Sequence, residues 1–139
     1  MTALLLCLAM ASTHPLPVAL RGCTLAPAAV KAGECYGVDP ALLLAIAWVE
    51  SRWKPGLVSS AGACSYWQTL PRYSNATCAA LNDPWVSADA AAYIFTRWLR
   101  RGGTVRKALQ GYVCGGRGLS GACGVGYAAR VLRIQEGLR

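Results

Sequence analysis

A run of nine apolar residues, Ala41 to Val49 (ALLLAIAWV), opens on Asp39-Pro40 and closes on Glu50. Asp39 is a side-chain cap for a helix, and Pro40 suits the first helical position, where a missing N–H is harmless. No face of such a helix is polar, so it is stable only when other chain surrounds it. This segment calls for a domain wrapped around a buried central helix that stops near Lys54-Pro55-Gly56.

The rest of the chain supports that demand. With 139 residues there is room for one ordinary domain, and 55% hydrophobic residues supply a core. The same figure excludes intrinsic disorder, and a charged fraction of 14% excludes a coiled coil. Thr24–Tyr36 is Ala-rich and reads as a short helix ended by Gly37. Asp83-Pro84 opens a further unit, with Ser87 as a cap and an apolar face running to Arg101, before Gly102-Gly103. Thr104 caps the helix VRKALQGYV, and Tyr127–Leu138 is a terminal amphipathic helix. Residues 56–83 read as loop with short helical turns, and no stretch alternates long enough for a strand. The expected fold is mainly α, a single domain without internal repeats.

Residues 1–11 read as an export signal, with the apolar run ALLLCLAMA and the small-x-small site Ala9-Met10-Ala11. The competing readings are a buried N-terminal segment and a misassigned start. The run is too short to span a bilayer, so no stable membrane insertion is expected. Residues 12–22, with two prolines and no periodicity, read as a linker to a domain at 23–139. Beyond Cys7 there are six cysteines: Cys23, Cys35, Cys64, Cys78, Cys114 and Cys123. No CxxC pair occurs and the one histidine, His14, lies near the presumed signal, so disulfides are expected in preference to a metal. Six cysteines allow fifteen pairings and spacing does not choose among them; Cys64 with Cys78 and Cys114 with Cys123 are the short-range pairs.

Fourteen cations against six acids give +8, which suits a polyanion: nucleic acid, an anionic membrane or an acidic glycan. The arginines are scattered and no nucleic-acid motif is present. The glycine-rich segment from Gly115 to Gly126 lacks the strand and Lys-Ser/Thr of a phosphate loop. Asn75-Ala76-Thr77 is a glycosylation sequon only in a eukaryotic secretory pathway.

Glu50 stands out against this background. In apolar surroundings its ionised form is desolvated, so the carboxyl stays protonated near neutrality, as a glycosidase general acid must. The plainer alternative is an ion pair with Arg52 or Lys54 at an exposed helix end. No Asp or Glu occurs between Glu50 and Asp83. A two-carboxylate glycosidase needs a partner acid across the scissile bond, so here the remaining chemistry has to come from elsewhere, for example the substrate's own 2-acetamido group.

The stretch GVDPALLLAIAWVESRWKPGLVSSAGACSYWQTLPRYS resembles the soluble lytic transglycosylase family of peptidoglycan-cleaving enzymes. Glu50-Ser51 matches the family's Glu-Ser at the helix end, and Pro55 its proline. Ser60, Gly62 and Ala63 match the next segment, with Gln68 and Pro71 at the expected spacing. Downstream, Asp83, Pro84, Tyr93, Ala108, Tyr112 and Gly115 match the Asp-Pro turn, the Ala-rich helix and the Ala-x-x-x-Tyr-Asn-x-Gly motif. Tyr127 to Leu132 resembles the last helix, so the resemblance covers residues 23 to 136. Two departures stand out. Gly-Leu-Met-Gln appears as Ser65-Tyr66-Trp67-Gln68, and the asparagine after Tyr112 is Val113.

The resemblance implies a lysozyme-like domain whose buried central helix ends in the catalytic Glu50, without metal or cofactor. It acts on peptidoglycan glycan strands, as a monomer, in the periplasm or outside the cell. Glu50 would serve as acid and then base, leaving a 1,6-anhydro end on muramic acid. Ser51, Gln68, Tyr66, Trp67, Tyr112 and Tyr93 are the substrate-binding candidates. Tyr66 and Trp67 would stack on sugar faces, and Tyr112 would hydrogen-bond Glu50 or the acetamido carbonyl. Trp48, Trp53, Trp85 and Trp98 read mostly as packing. The alternatives are a goose-type lysozyme, a catalytically weak wall-binding component of a secretion apparatus or phage particle, and a cationic membrane-active protein.

Overall fold

The computed structural model describes all 139 residues, with eight α-helices, a short 3-10 turn at Ala80–Asn82 and no strand. The helices are α1 (Ala3–Thr13), α2 (Leu16–Tyr36), α3 (Pro40–Ser51), α4 (Pro71–Ser74), α5 (Pro84–Gly102), α6 (Val105–Cys114), α7 (Gly116–Ser120) and α8 (Val125–Leu138). The mainly α expectation holds. α3 forms where the sequence demands it: the Asp39 carboxylate accepts from the Ala41 N–H at 2.9 Å, with Pro40 at the first position. Residues 41 to 47 are all buried, and α2, α5 and α8 pack around this helix. The main core cluster is centred on them, with Leu25, Phe95, Leu109 and Val131 contributing fully buried side chains, and Cys64, Leu81 and Ala90 form a small second cluster.

α5 is capped by Asp83, whose carboxylate accepts from the Trp85 N–H at 2.8 Å. The helix therefore starts at Pro84, and Ser87 is buried inside it instead of capping it. The glycine-rich segment, which reads as loop, holds the short helix α7. This helix lies against α6 so closely that a Cβ on Gly118 would come within 2.2 Å of the Gln110 carbonyl oxygen.

The N-terminal region departs from expectation. Residues 12–22 are not a linker: α2 begins at Leu16, capped by Pro15, and runs unbroken to the left-handed Gly37. Proline in a first turn starts a helix without loss, because the N–H it lacks has no partner there anyway. Residues 1–11, read as an export signal, form most of α1 and turn Leu6 and Met10, four residues apart, wholly into the core. Met10 meets α2 at Gly22, where a Cβ would lie 2.3 Å from its sulfur.

This packing also corrects the cysteine assignment. Cys7 pairs with Cys23 across the α1–α2 hairpin, while Cys35 is exposed and unpaired. The short-range pairs Cys64–Cys78 and Cys114–Cys123 are both present. Cys35 sits near the far end of the 21-residue α2, where no other helix presents a thiol. Titrating the unfolded, unreduced full chain is therefore expected to find one thiol, lost in Cys35→Ser. Finding none would restore Cys35 to a disulfide.

Candidate active site

α3 ends on two successive residues in the left-handed region, Arg52 (φ 56°) and Trp53 (φ 61°). The chain turns sharply there. Trp53 is driven inward, its indole N–H donating to the Leu44 carbonyl at 2.9 Å. Glu50, one turn earlier, faces a cleft of about 570 Å³ and is the only carboxylate among its lining residues. The opposite wall comes from the loop around Gln68-Thr69, from α4 and α5, and from Tyr112 on α6.

The local environment favours the neutral carboxyl. Burial raises Glu50 from the usual range to about 7, while a hydrogen bond from Tyr127 and the charge of Arg130 pull the other way. The Tyr127 hydroxyl donates to Glu50 Oε2 at 2.8 Å, from an α8 that packs along α3. Tyr127 is itself buried, with its own ionisation pushed well up by burial and by the Glu50 charge, so it stays a donor. The ion pair with Arg52 or Lys54 does not form: the salt bridges of the molecule are those of Arg139 to Asp39 and Glu136.

The other expected site residues divide into two groups. Gln68 lines the cleft from a left-handed backbone (φ 51°). Its amide nitrogen donates to the Leu57 and Ser65 carbonyls, and its amide oxygen has no protein partner. Tyr112 also lines the cleft, but its hydroxyl donates to the Trp67 carbonyl at 2.8 Å, not to Glu50. Burial and the Glu50 charge keep that phenol protonated.

Ser51, Tyr66 and Trp67 stand behind the cleft wall. Ser51 Oγ donates to the Tyr66 carbonyl at 2.7 Å, tying the helix end to the loop. Trp67 is completely buried, with its N–H on the Leu43 carbonyl, and Tyr66 is 8% exposed. Neither offers a face to a sugar, because the turn from Ser65 (φ 65°) to Gln68 points the two aromatics into the core. Ser65 holds a conformation that glycine adopts freely, and its buried hydroxyl lacks a partner. Tyr93 lies outside the lining, beside Tyr36.

Sequence reasoning missed Tyr127 as the partner of Glu50, and Thr69, Tyr73 and Trp98 as lining residues. Thr69 is 3% exposed with its hydroxyl unpartnered. Only the resemblance of the last helix hinted at any of them; the contact itself joins residues 77 positions apart.

Replacing Tyr127 with Phe removes the donor that favours ionised Glu50. Its carboxyl is then expected to titrate about one unit higher, the worth of one hydrogen bond to a charged group. The alkaline fall of the pH–rate profile should move up by that amount. An unmoved midpoint would reduce Tyr127 to packing.

No curated protein matches the chain. A family model described as "Transglycosylase SLT domain" matches residues 27–123, more than two thirds of the chain, from within α2 to the cysteine before α8. Glu50 with its cleft lies inside that match, whereas Tyr127 and α1 lie outside it. The chain belongs to the SLT transglycosylase domain family, with that family's lysozyme-like fold and its peptidoglycan-cleaving type of site.

Proposed function

We propose that the protein is a peptidoglycan lytic transglycosylase cleaving the β-1,4 bond from N-acetylmuramic acid to N-acetylglucosamine, with Glu50 as its single acid and base. The observation that carries this is a lone half-buried carboxyl, raised to about 7 and held by a phenol, in a cleft with no second acid. Protonated Glu50 gives its proton to the glycosidic oxygen as the bond to muramic C1 breaks. The muramic acetamido oxygen bonds to C1, giving an oxazolinium ion. Glu50, now a carboxylate, takes the proton of the muramic C6 hydroxyl. That oxygen attacks C1, the acetamido oxygen leaves, and a 1,6-anhydro end remains with Glu50 again protonated. Gln68 Oε1, which has no protein partner, is a polar atom of the wall available to sugar groups.

The substrate places this activity outside the cytoplasm, so the enzyme acts as an exported protein; no helix is long and apolar enough to cross a membrane. Mass spectrometry of muropeptides from purified sacculi tests the reading. Anhydromuramic ends from the wild type support it. Reducing ends would make the protein a hydrolase of the goose-type lysozyme kind, and intact sacculi carrying bound protein would leave a wall-binding component.

A further inference from the structure

The cleft carries a charge that the reaction above does not use. Arg72 on α4 and Arg97 and Arg101 on α5 line the same cavity as Glu50. None of the three has an acidic partner. Each guanidinium lies over an aromatic ring: Arg72 over Tyr73 at 4.9 Å, Arg97 over Tyr93 at 5.8 Å and Arg101 over Trp98 at 4.7 Å.

An exposed arginine is ordinarily just solvated, and Arg101 also gains from the helix C-terminus. That account does not cover Arg97, which lies one turn earlier. Arg97 and Arg101 are four residues apart on one helix face, where like charges repel, and Arg72 adds a third cation to the same wall. Stacking on a ring restricts each guanidinium while leaving its N–H edge free, an arrangement suited to bidentate capture of a planar anion. A muramic residue cleaved at Glu50 carries on its C3 lactyl group a peptide stem with free carboxylates, and these three guanidinium groups are unpaired cations lining the same cleft.

We infer that Arg72, Arg97 and Arg101 form a subsite for the carboxylates of the peptide stems, so that the cleft selects stem-bearing, unamidated glycan. This rests on the peptidoglycan-cleaving reading, and its test therefore uses binding in place of turnover.

The probe is a set of solubilised glycan strands freed of phosphate-containing wall polymers, prepared in three forms: with free stem carboxylates, with those carboxylates amidated, and with stems removed by an amidase. Binding is measured with full-length Glu50→Gln protein. The first form is expected to bind about ten-fold more tightly than the other two at low salt, three exposed charge pairs each contributing a few-fold. The preference should fade as salt rises. Adding R72Q, R97Q and R101Q together should abolish it. The same number of charges removed at Arg100, Arg106 and Arg133, exposed residues outside the lining, should leave it. Equal binding of all three forms, no binding to any, or equal loss in both triple variants would overturn the subsite. Wild-type cleavage of the same strands is scored separately. A protein that prefers carboxylated strands yet cleaves none refutes the proposed chemistry and leaves the subsite standing.

Discussion

Glu50→Gln is expected to lower turnover on sacculi by about a thousand-fold or more, the scale of losing a general acid that also serves as the base. The fold should survive, since Gln has the same shape and its amide oxygen can accept from Tyr127, as Glu50 Oε2 does at 2.8 Å. On the proposed mechanism the wild type acts through the protonated carboxyl, so the rate should fall as pH rises through about 7. Stability supplies an independent check. Folded Glu50 binds its proton up to about 7, whereas the unfolded group releases it near 4.5. Between those values the native state holds more protons, so wild-type stability falls as pH rises from about 4.5 to 7 and then levels off. At about 1.4 kcal/mol per unit, the loss is at most about 3.5 kcal/mol, and water entering the cleft lowers it to roughly 2 to 3 kcal/mol. The variant has no such term. Denaturant unfolding should find it more stable than wild type at pH 8 and equal to it at pH 4. More than a few per cent residual turnover would remove Glu50 from its role. A variant less stable at pH 8 would mean that the carboxylate is held ionised by a cation such as Arg130.

What the sequence disclosed about this site was its local part. The apolar run from Ala41 to Val49 has one stable arrangement, surrounded by chain, and that alone desolvates a carboxyl in its last turn. Asp39 caps its helix as the sequence indicates, because cap chemistry is settled within three residues, whereas the next helix is capped by Asp83, four residues ahead of the expected Ser87. The errors came where two structures share one composition. Ser65-Tyr66-Trp67-Gln68 reads equally well as an aromatic sugar platform or as a core turn. Backbone at φ 65° and φ 51° decides it, burying the ring pair and leaving Gln68 in the cleft. Pro15 and Pro17 look like linker punctuation, yet both suit a helix start. Tyr127 and the arginine wall were hidden because helix-to-helix placement, not local pattern, brings them to Glu50. The same limit applies to Cys7: an uncharged apolar helix with Ala and Leu on every side looks alike as an export signal and as a packed hairpin arm.

Deleting residues 1–13 is expected to remove at least about 5 kcal/mol of stability, comparable with the whole margin of a small domain. Leu6 and Met10 are completely buried, and losing a core side chain of that size costs about 2 to 5 kcal/mol. The deletion also breaks Cys7–Cys23, which closes a loop of 16 residues and is worth about 3 kcal/mol. What it uncovers lies next to the site. Met10 and Trp53 both pack against Gly22, and His14, which follows α1, meets Trp48 and Trp53 edge-on with ring centroids at 4.5 and 5.0 Å. Those rings support the turn that ends α3 just after Glu50. The truncated chain should therefore unfold well below the full chain, with a red-shifted tryptophan emission, and should lose activity even at temperatures where helix content remains. Leu6→Ala gives a milder test, expected to cost about 3 kcal/mol with the disulfide intact. If the shortened chain melts with the full one, α1 contributes nothing to the fold, and the export-signal reading of residues 1–11 gains the segment. If it collapses, cleavage after Ala11 would strip the catalytic turn of its support. The working enzyme then has to keep its first helix, and the N-terminal mass of the exported protein should include Cys7.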